Sequence, residues 1–337
     1  MASTGNLTWL ITGSSSGFGL ALSQHILKAK HNLVSVSRHA SPDQCLLDLS
    51  SGSSSPTLHH IQVDLSVSNP AAIKQPITIF LAQHPDIQID IVINNAAITH
   101  FAPLEYITPE ILFETMNVNF YSPLWMTQAL LPHLRSSKNG LEKVIVNISS
   151  TQGKAADPSE VAYDASKHAL EALSTVLAAE VAPFGIRTIV ANLGSFRTQF
   201  SGKGSYHNVA SESTSKTAGD ADEQVQSSND PYGENHPVAV RMRMVASLSS
   251  NPTIARGDPA KGAAVLFDAV TRKGAVDEAL QKQRRWSSEK GDGKGRVERL
   301  VLGSDSQPKM EDVARQFVME VESCRDVSSL ANADDVK

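Results

Sequence analysis

The stretch Leu7–Ala29, LTWLITGSSSGFGLALSQHILKA, decides the fold. Residues 7–11 form a short apolar run rich in β-favouring side chains. Residues 12–19 are a serine- and glycine-rich turn, and Leu20 to Ala29 is helical in pattern. Strand, glycine turn and helix in that order are the context in which a glycine fingerprint signals dinucleotide binding. The glycines let the backbone approach a pyrophosphate, and the helix N-terminus offers it free N–H groups and a positive dipole end. Gly13, Ser14, Ser16, Gly17, Phe18 and Gly19 are the candidate contacts. The spacing is G-x-x-x-G-x-G rather than G-x-G-x-x-G, and a plain flexible turn is the alternative.

The alternation continues down the chain. A second strand, Asn32 to Ser37, ends at Arg38. An acidic residue near this point accepts from the ribose 2′-hydroxyl in many NAD-binding units, whereas arginine accommodates a 2′-phosphate. Arg38 therefore favours NADP(H) over NAD, with a solvated strand-end arginine as the alternative. Asp43 to His59 is serine-rich and reads as a surface excursion. A third strand, His60 to Val63, ends in Asp64, a candidate acceptor for an adenine amino group. Ser68 to Gln83 is helical in outline, with a kink expected at Pro76. The apolar strand Ile89 to Ile93 leads into Asn94-Asn95-Ala96-Ala97, where small and amide side chains let backbone and ligand come close; an Asx-turn is the alternative.

Thr108 to Leu134 reads as one long helix containing Asn117 and Asn119, poor helix-interior residues, one of which bends the helix or holds a water. Lys143 to Ile148 is the fifth strand, Val161 to Ala182 a helix, and Arg187 to Leu193 the sixth strand, leading into Gly194 to Thr198. Alternation on this scale predicts an α/β protein with a doubly wound parallel sheet. Ligands then sit at the carboxyl ends of the strands. The glycine turn, Asn94-Asn95, Ser150 and Thr198 all follow strands and converge on that edge.

Tyr163 and Lys167 stand four apart, as Y-x-x-x-K, and Ser150 precedes the tyrosine by thirteen residues. Residues i and i+4 share a helix face, so the lysine lies one turn below the phenol. A phenol has an unperturbed pKa of about 10, and a nearby ammonium is expected to lower it towards the range useful for general acid–base catalysis. Ser150 is free to hydrogen-bond the substrate oxygen. Taken alone, Y-x-x-x-K is a common helix pair; its meaning comes from the surrounding frame.

Composition bounds the remaining possibilities. The chain has 337 residues, 41% hydrophobic, with a net charge of −5, which suits one large α/β domain, or one domain plus an appendage. The slight acidity gives no reason to expect a nucleic-acid partner. Cys45 and Cys324 make no disulfide framework and no metal site, so a reducing compartment is expected. The N-terminal residues lack a basic, apolar leader pattern, and no apolar run approaches the roughly 20 residues that span a bilayer. A soluble, cytoplasmic protein is the expectation.

The motifs together resemble the short-chain dehydrogenase/reductase family, in its single-domain Rossmann form. They are T-G-x-x-x-G-x-G at Thr12–Gly19, N-N-A at Asn94–Ala96, the serine and Y-x-x-x-K at Ser150, Tyr163 and Lys167, and Asn119 within N-F-Y-S-P-L. The resemblance covers about residues 5–200. It implies an Asn-Ser-Tyr-Lys tetrad. Tyr163 would be general acid in carbonyl reduction and base in alcohol oxidation. Lys167 would lower its pKa and bind the nicotinamide ribose, and Ser150 would orient the substrate oxygen. Asn119 would hold a water linking Lys167 to solvent. Asn95, Ala96, Phe196 and Thr198 would contact the cofactor beside the glycine turn. Ala97, Ser122 and Leu193 depart from the family pattern; Leu193 replaces a proline and leaves the following loop less fixed. Family members are commonly homodimers or homotetramers through the helices bearing Asn119 and Tyr163.

The expected organisation is a dinucleotide-binding and catalytic core over residues 1–200, a substrate lid over 201–257, completion of the same domain over 258–322 and a tail over 323–337. The 201–236 segment is acidic and serine-rich. Asp258 and Pro259 begin a helix as N-cap and N1, and Arg299 to Asp305 resembles the family's last strand. The G-D-P-A-K and L-G-S-D pieces resemble a microbial and fungal branch with 17β-hydroxysteroid-dehydrogenase-like members, a setting that includes secondary metabolism. The expected activity is NADP(H)-dependent interconversion of a carbonyl and an alcohol in an apolar small molecule. An NAD-dependent alcohol dehydrogenase and a non-catalytic NADP-binding protein are the alternatives.

Overall fold

The computed structural model describes residues 6–52, 54–137, 139–201, 232–247, 255–289 and 295–323. Seven parallel strands form one sheet in the order β3-β2-β1-β4-β5-β6-β7. They are β1 (Thr8–Thr12), β2 (Asn32–Ser37), β3 (Leu58–Gln62), β4 (Ile91–Asn94), β5 (Lys143–Ser150), β6 (Ile186–Leu193) and β7 (Glu298–Leu302). The doubly wound parallel sheet expected from the sequence is present. The strand order reverses between β1 and β4, and in such sheets the crevice at this switch point is where ligands bind.

Parallel strands are covered on both faces, and the alternation along β1 shows how. Trp9 and Ile11 face one apolar layer with Leu22 and Ile26 of α1 (Gly17–Lys28) and Leu266 and Phe267 of a late helix. Leu10 faces the other, with Ile73 and Ile77 of α3 (Pro70–Gln83) and Leu130. The indole of Trp9 stacks on the Phe267 ring at 5.3 Å. Pro76 lies inside α3, which nevertheless continues to Gln83.

Three segments differ from the sequence reading. The serine-rich excursion contains a short helix, α2 (Gln44–Ser50), capped by Asp43 accepting from the Cys45 N–H. The long helix is divided into α4 (Pro109–Met116), a π-helical turn (Asn117–Tyr121) and α5 (Ser122–Ser136). β5 extends two residues past Ile148, so Ser150 closes the strand opposite Leu193 of β6. Beyond α6 (Val161–Val181) come α7 (Pro237–Ser247), α8 (Pro259–Thr271), α9 (Gly274–Glu289) and α10 (Ser306–Ser323). Within α9, Arg284 pairs with Asp277, and it ties the helix to Glu298 of β7. Most of the acidic insert and residues 324–337 lie outside the described residues. No helix among the described residues is long and apolar enough to cross a membrane.

Candidate active site

A cavity of about 500 Å3 opens at the carboxyl ends of the strands. Its wall is built from the β1–α1 turn, from Arg38 and Asp64 after β2 and β3, from Asn95 to Thr99, from Ser150 to Gln152, from Tyr163 and Lys167, and from Leu193 to Phe200.

The floor at one end is the glycine turn. Gly13 and Gly17 have φ of +67° and +54°, a region costly for side chains with a Cβ. A Cβ on Gly19 would lie 2.2 Å from the Gly13 carbonyl oxygen and 2.3 Å from the Asn95 amide nitrogen. Asn95 locks this packing by donating to the Thr12 and Gly13 carbonyls at 3.0 and 3.2 Å. Ser16 is the N-cap of α1, yet its side chain makes no capping bond. The first-turn N–H groups of α1 are thus left for an anionic ligand. The residues fit a dinucleotide: a backbone cradle, an uncapped helix N-terminus and a cavity running from Arg38 to Tyr163. Arg38 is exposed in this wall. Asp64 accepts from the Ser66 N–H and hydroxyl at 2.9 and 2.7 Å.

Two expected contacts are placed elsewhere. Asn94 is buried in the sheet, its amide donating to Asn147 Oδ1 at 2.8 Å, and Ser14 is buried at 1% exposure; neither belongs to the cavity wall. The wall does include Gln152, Glu160, Arg241, Asp305 and Lys309, which sequence reasoning did not single out. Their partners lie up to 157 residues apart, beyond any local motif.

At the other end, α6 presents Tyr163 and Lys167. The amine is buried at 2% exposure and donates to the Ile148 carbonyl of β5 at 2.9 Å. Burial pushes its pKa down to about 8, against a raising influence from the Glu171 carboxylate one turn further along α6. Glu171 is kept ionised, despite its burial, by Arg299 and by the Asn192 amide at 2.7 Å. The phenol departs from expectation. Its pKa is raised, first by burial and then by the Glu160 and Asp164 carboxylates, with a hydrogen bond from Ser150 acting the other way. The ammonium, 5.7 Å from the ring centroid, is not among the groups that move it. Tyr163 is therefore protonated at neutral pH.

Asn119 sits in the π-helical turn, fully buried behind the wall. Its Oδ1 accepts from the Ile98 N–H, and its amide hydrogens go to the Ile98 carbonyl and Ser166 Oγ, all at 2.9 Å. Ser166 is the residue before Lys167, so Asn119 ties the β4 loop to the tyrosine-bearing helix. A π-helical turn interrupts the regular i→i−4 ladder and is frequent at functional sites. Both amide hydrogens are used within the protein, so this side chain has none left to donate to a water.

A charged cluster closes the remaining side. Arg241 of α7 pairs with Glu160 and, at 2.9 Å, with Asp157; Lys309 of α10 pairs with Asp157 at 2.6 Å and reaches Gln152 at 2.9 Å. Burial and the neighbouring Glu160 and Asp157 push the Asp164 carboxyl up to about 8. Phe101, Phe200, Met244 and Ala255 supply the apolar part of the wall. No group of metal-ligating side chains occurs among the described residues.

The chain is similar to known proteins. The family model described as short chain dehydrogenase matches residues 8–207. The chain is 33% identical over 191 residues to 3-ketodihydrosphingosine reductase of Bacteroides thetaiotaomicron, a match covering 57% of this chain and 64% of that one. It is 31% identical over 222 residues to oxidoreductase BOA17 of Botryotinia fuckeliana, covering 66% and 77%. A short-chain dehydrogenase from Streptomyces avermitilis superposes with a TM-score of 0.72 at 28% identity, over 98% of this chain and all (100%) of that one. Ligand-bound neighbours include an NADH complex of 3-ketoacyl-(acyl-carrier-protein) reductase from Brucella melitensis (TM-score 0.52, 27% identity, 59% and 79% covered). Another is NADPH-bound carbonyl reductase from chicken fatty liver (TM-score 0.51, 26% identity, 60% and 87% covered).

Proposed function

The chain belongs to the short-chain dehydrogenase family and is an oxidoreductase, and on that premise we propose that it reduces a ketone or aldehyde with NADPH, Tyr163 supplying the proton. The observation that carries this reading is the meeting of Tyr163, Ser150 and a buried Lys167 on one cavity wall, with the glycine cradle at the other end. A bound nicotinamide supplies the hydride chemistry. The protein's residues hold and move the proton. Ser150, at the end of β5, orients the carbonyl oxygen. Tyr163, protonated at neutral pH, is in the form that reduction consumes. Lys167, on the same helix face, binds the ribose, and Asn119 holds the helix in register with the β4 loop. These four form the proposed tetrad.

Arg38 supports NADP(H), because a guanidinium pairs with the 2′-phosphate. The NADH-bound neighbour supports an NAD enzyme as the second reading. Arg38→Ala is expected to lower kcat/KM with NADPH by about 10- to 100-fold, the worth of a charge-assisted hydrogen bond, and to leave NADH within about twofold. An unchanged NADPH/NADH ratio refutes the assignment. The apolar wall and the Arg241, Lys309 and Gln152 end together suit a substrate with an apolar body and a polar group, and α7 would act as its lid. The G-D-P-A-K and L-G-S-D pieces support the 17β-hydroxysteroid-dehydrogenase-like branch. Exposed Leu112, Phe113 and Val176 on α4 and α6 support a homodimer or homotetramer.

A further inference from the structure

β6 runs out through Leu193-Gly194-Ser195 with no proline to restrict its backbone, yet this segment forms one wall of the cavity. Something else has to set its path. We propose that Asp305 is the positioning residue that fixes the Gly194–Thr198 loop against the nicotinamide end of the cavity, an inference that rests on the reading of this site as a dinucleotide site.

Asp305 Oδ2 accepts from the Ser195 N–H at 2.8 Å, across 110 residues of sequence. Its Oδ1 is buried with no hydrogen-bond partner among the described residues. A Cβ on Gly194 would sit 2.3 Å from that oxygen, and one on Gly303 would sit 2.8 Å from it. The carboxylate is thus wedged against two glycines, and a methyl group on Gly194 would have to push it aside. The flanking contacts bind the same two segments: the Gly194 N–H donates to the Leu302 carbonyl at 2.8 Å, and Ser306 Oγ meets Thr151 Oγ at 2.7 Å. Thr151 in turn reaches the Leu193 carbonyl at 3.3 Å. The turn after β7 therefore joins the β6 loop to the segment that follows Ser150, so that the loop's register is set by a residue late in the chain. Asparagine in place of Asp305 keeps an acceptor for the Ser195 N–H; alanine keeps none.

The test is amide hydrogen exchange of the 194–199 backbone in wild type, Asp305→Asn, Asp305→Ala and Gly194→Ala, each with and without NADPH, beside NADPH affinity by fluorescence titration. Without cofactor, Asp305→Ala is expected to exchange Ser195 about 10- to 100-fold faster, the worth of a hydrogen bond to a charged group, and Asp305→Asn within about threefold of wild type. Gly194→Ala, which displaces the carboxylate without removing it, is expected to match Asp305→Ala, so the result survives if that variant folds poorly. NADPH affinity should fall in the order of loop exchange. Wild-type exchange rates in Asp305→Ala or Gly194→Ala overturn the proposal. If NADPH protects the loop in no variant, the dinucleotide reading fails separately, while the cofactor-free rates still decide what Asp305 does.

Discussion

Lys167→Met should make the protein more stable while removing its activity. The amine is buried with one carbonyl partner, Ile148, and its pKa falls from 10.5 to about 8. At about 1.4 kcal/mol per pKa unit, carrying that proton into the fold costs about 3 kcal/mol. Methionine has similar length and no charge to desolvate; it forfeits one hydrogen bond, worth about 1 kcal/mol. The net gain is about 2 kcal/mol, or about 3 °C in a chain of this size. The sign follows from linkage. Below pH 8 both folded and unfolded states hold the proton and the full cost is present. Between pH 8 and 10.5 the unfolded state binds more protons, so wild-type stability from this group rises with pH and the variant's advantage shrinks. Urea unfolding of both proteins at pH 7 and 9.5 measures this. A variant less stable than wild type at pH 7, or an advantage that does not narrow at pH 9.5, refutes the account of a strained ammonium.

Gly19→Ala pushes a methyl group into the Gly13 carbonyl and the Asn95 amide, which should cost about 1–3 kcal/mol of stability and at least about tenfold in NADPH affinity; titration at wild-type affinity contradicts the cradle. Arg241→Met leaves Glu160, a buried carboxyl already raised in pKa, without its cation. KM for the carbonyl substrate should rise by about 5- to 50-fold, the 1–3 kcal/mol of an unpaired buried group, with KM for NADPH unchanged, and the reverse split refutes a lid role for α7. Reduction should fall above pH about 8 as Lys167 loses its proton; a rate flat to pH 9.5 argues against a protonated amine in the working site.

The periodic elements were legible because each carried its own signal. β1, the glycine turn and α1 declared themselves by composition, and the apolar runs marked β4 and β5. α9 did not, because only Leu280 and Val276 mark its buried side among charged residues, and the ion pair of Arg284 with Glu298 lies outside the helix, where an apolar pattern cannot report it. The π-helical turn at Asn117–Tyr121 was foreshadowed only by two asparagines in a helix. Tyr163, Lys167 and Ser150 were found by spacing, but the phenol's electrostatics were misjudged. Spacing places Lys167 beneath the ring; it does not show that the amine turns to the Ile148 carbonyl, nor that burial, with the charges of Glu160 and Asp164, raises the phenol's pKa. Arg241, Asp305 and Lys309 reach the site only through tertiary packing.

Everything proposed for the reaction depends on Tyr163 giving its proton to a carbonyl oxygen beside the dinucleotide cleft. Deuterium transfer from 4-deuterated NADPH to a ketone panel, by wild type and by Tyr163→Phe at pH 7, tests it directly when NADPH affinity is titrated in parallel. The expected result is affinity within about twofold and turnover lower by at least about 100-fold in the variant, the scale of a lost general acid. Equal deuterium transfer by the two proteins contradicts the account.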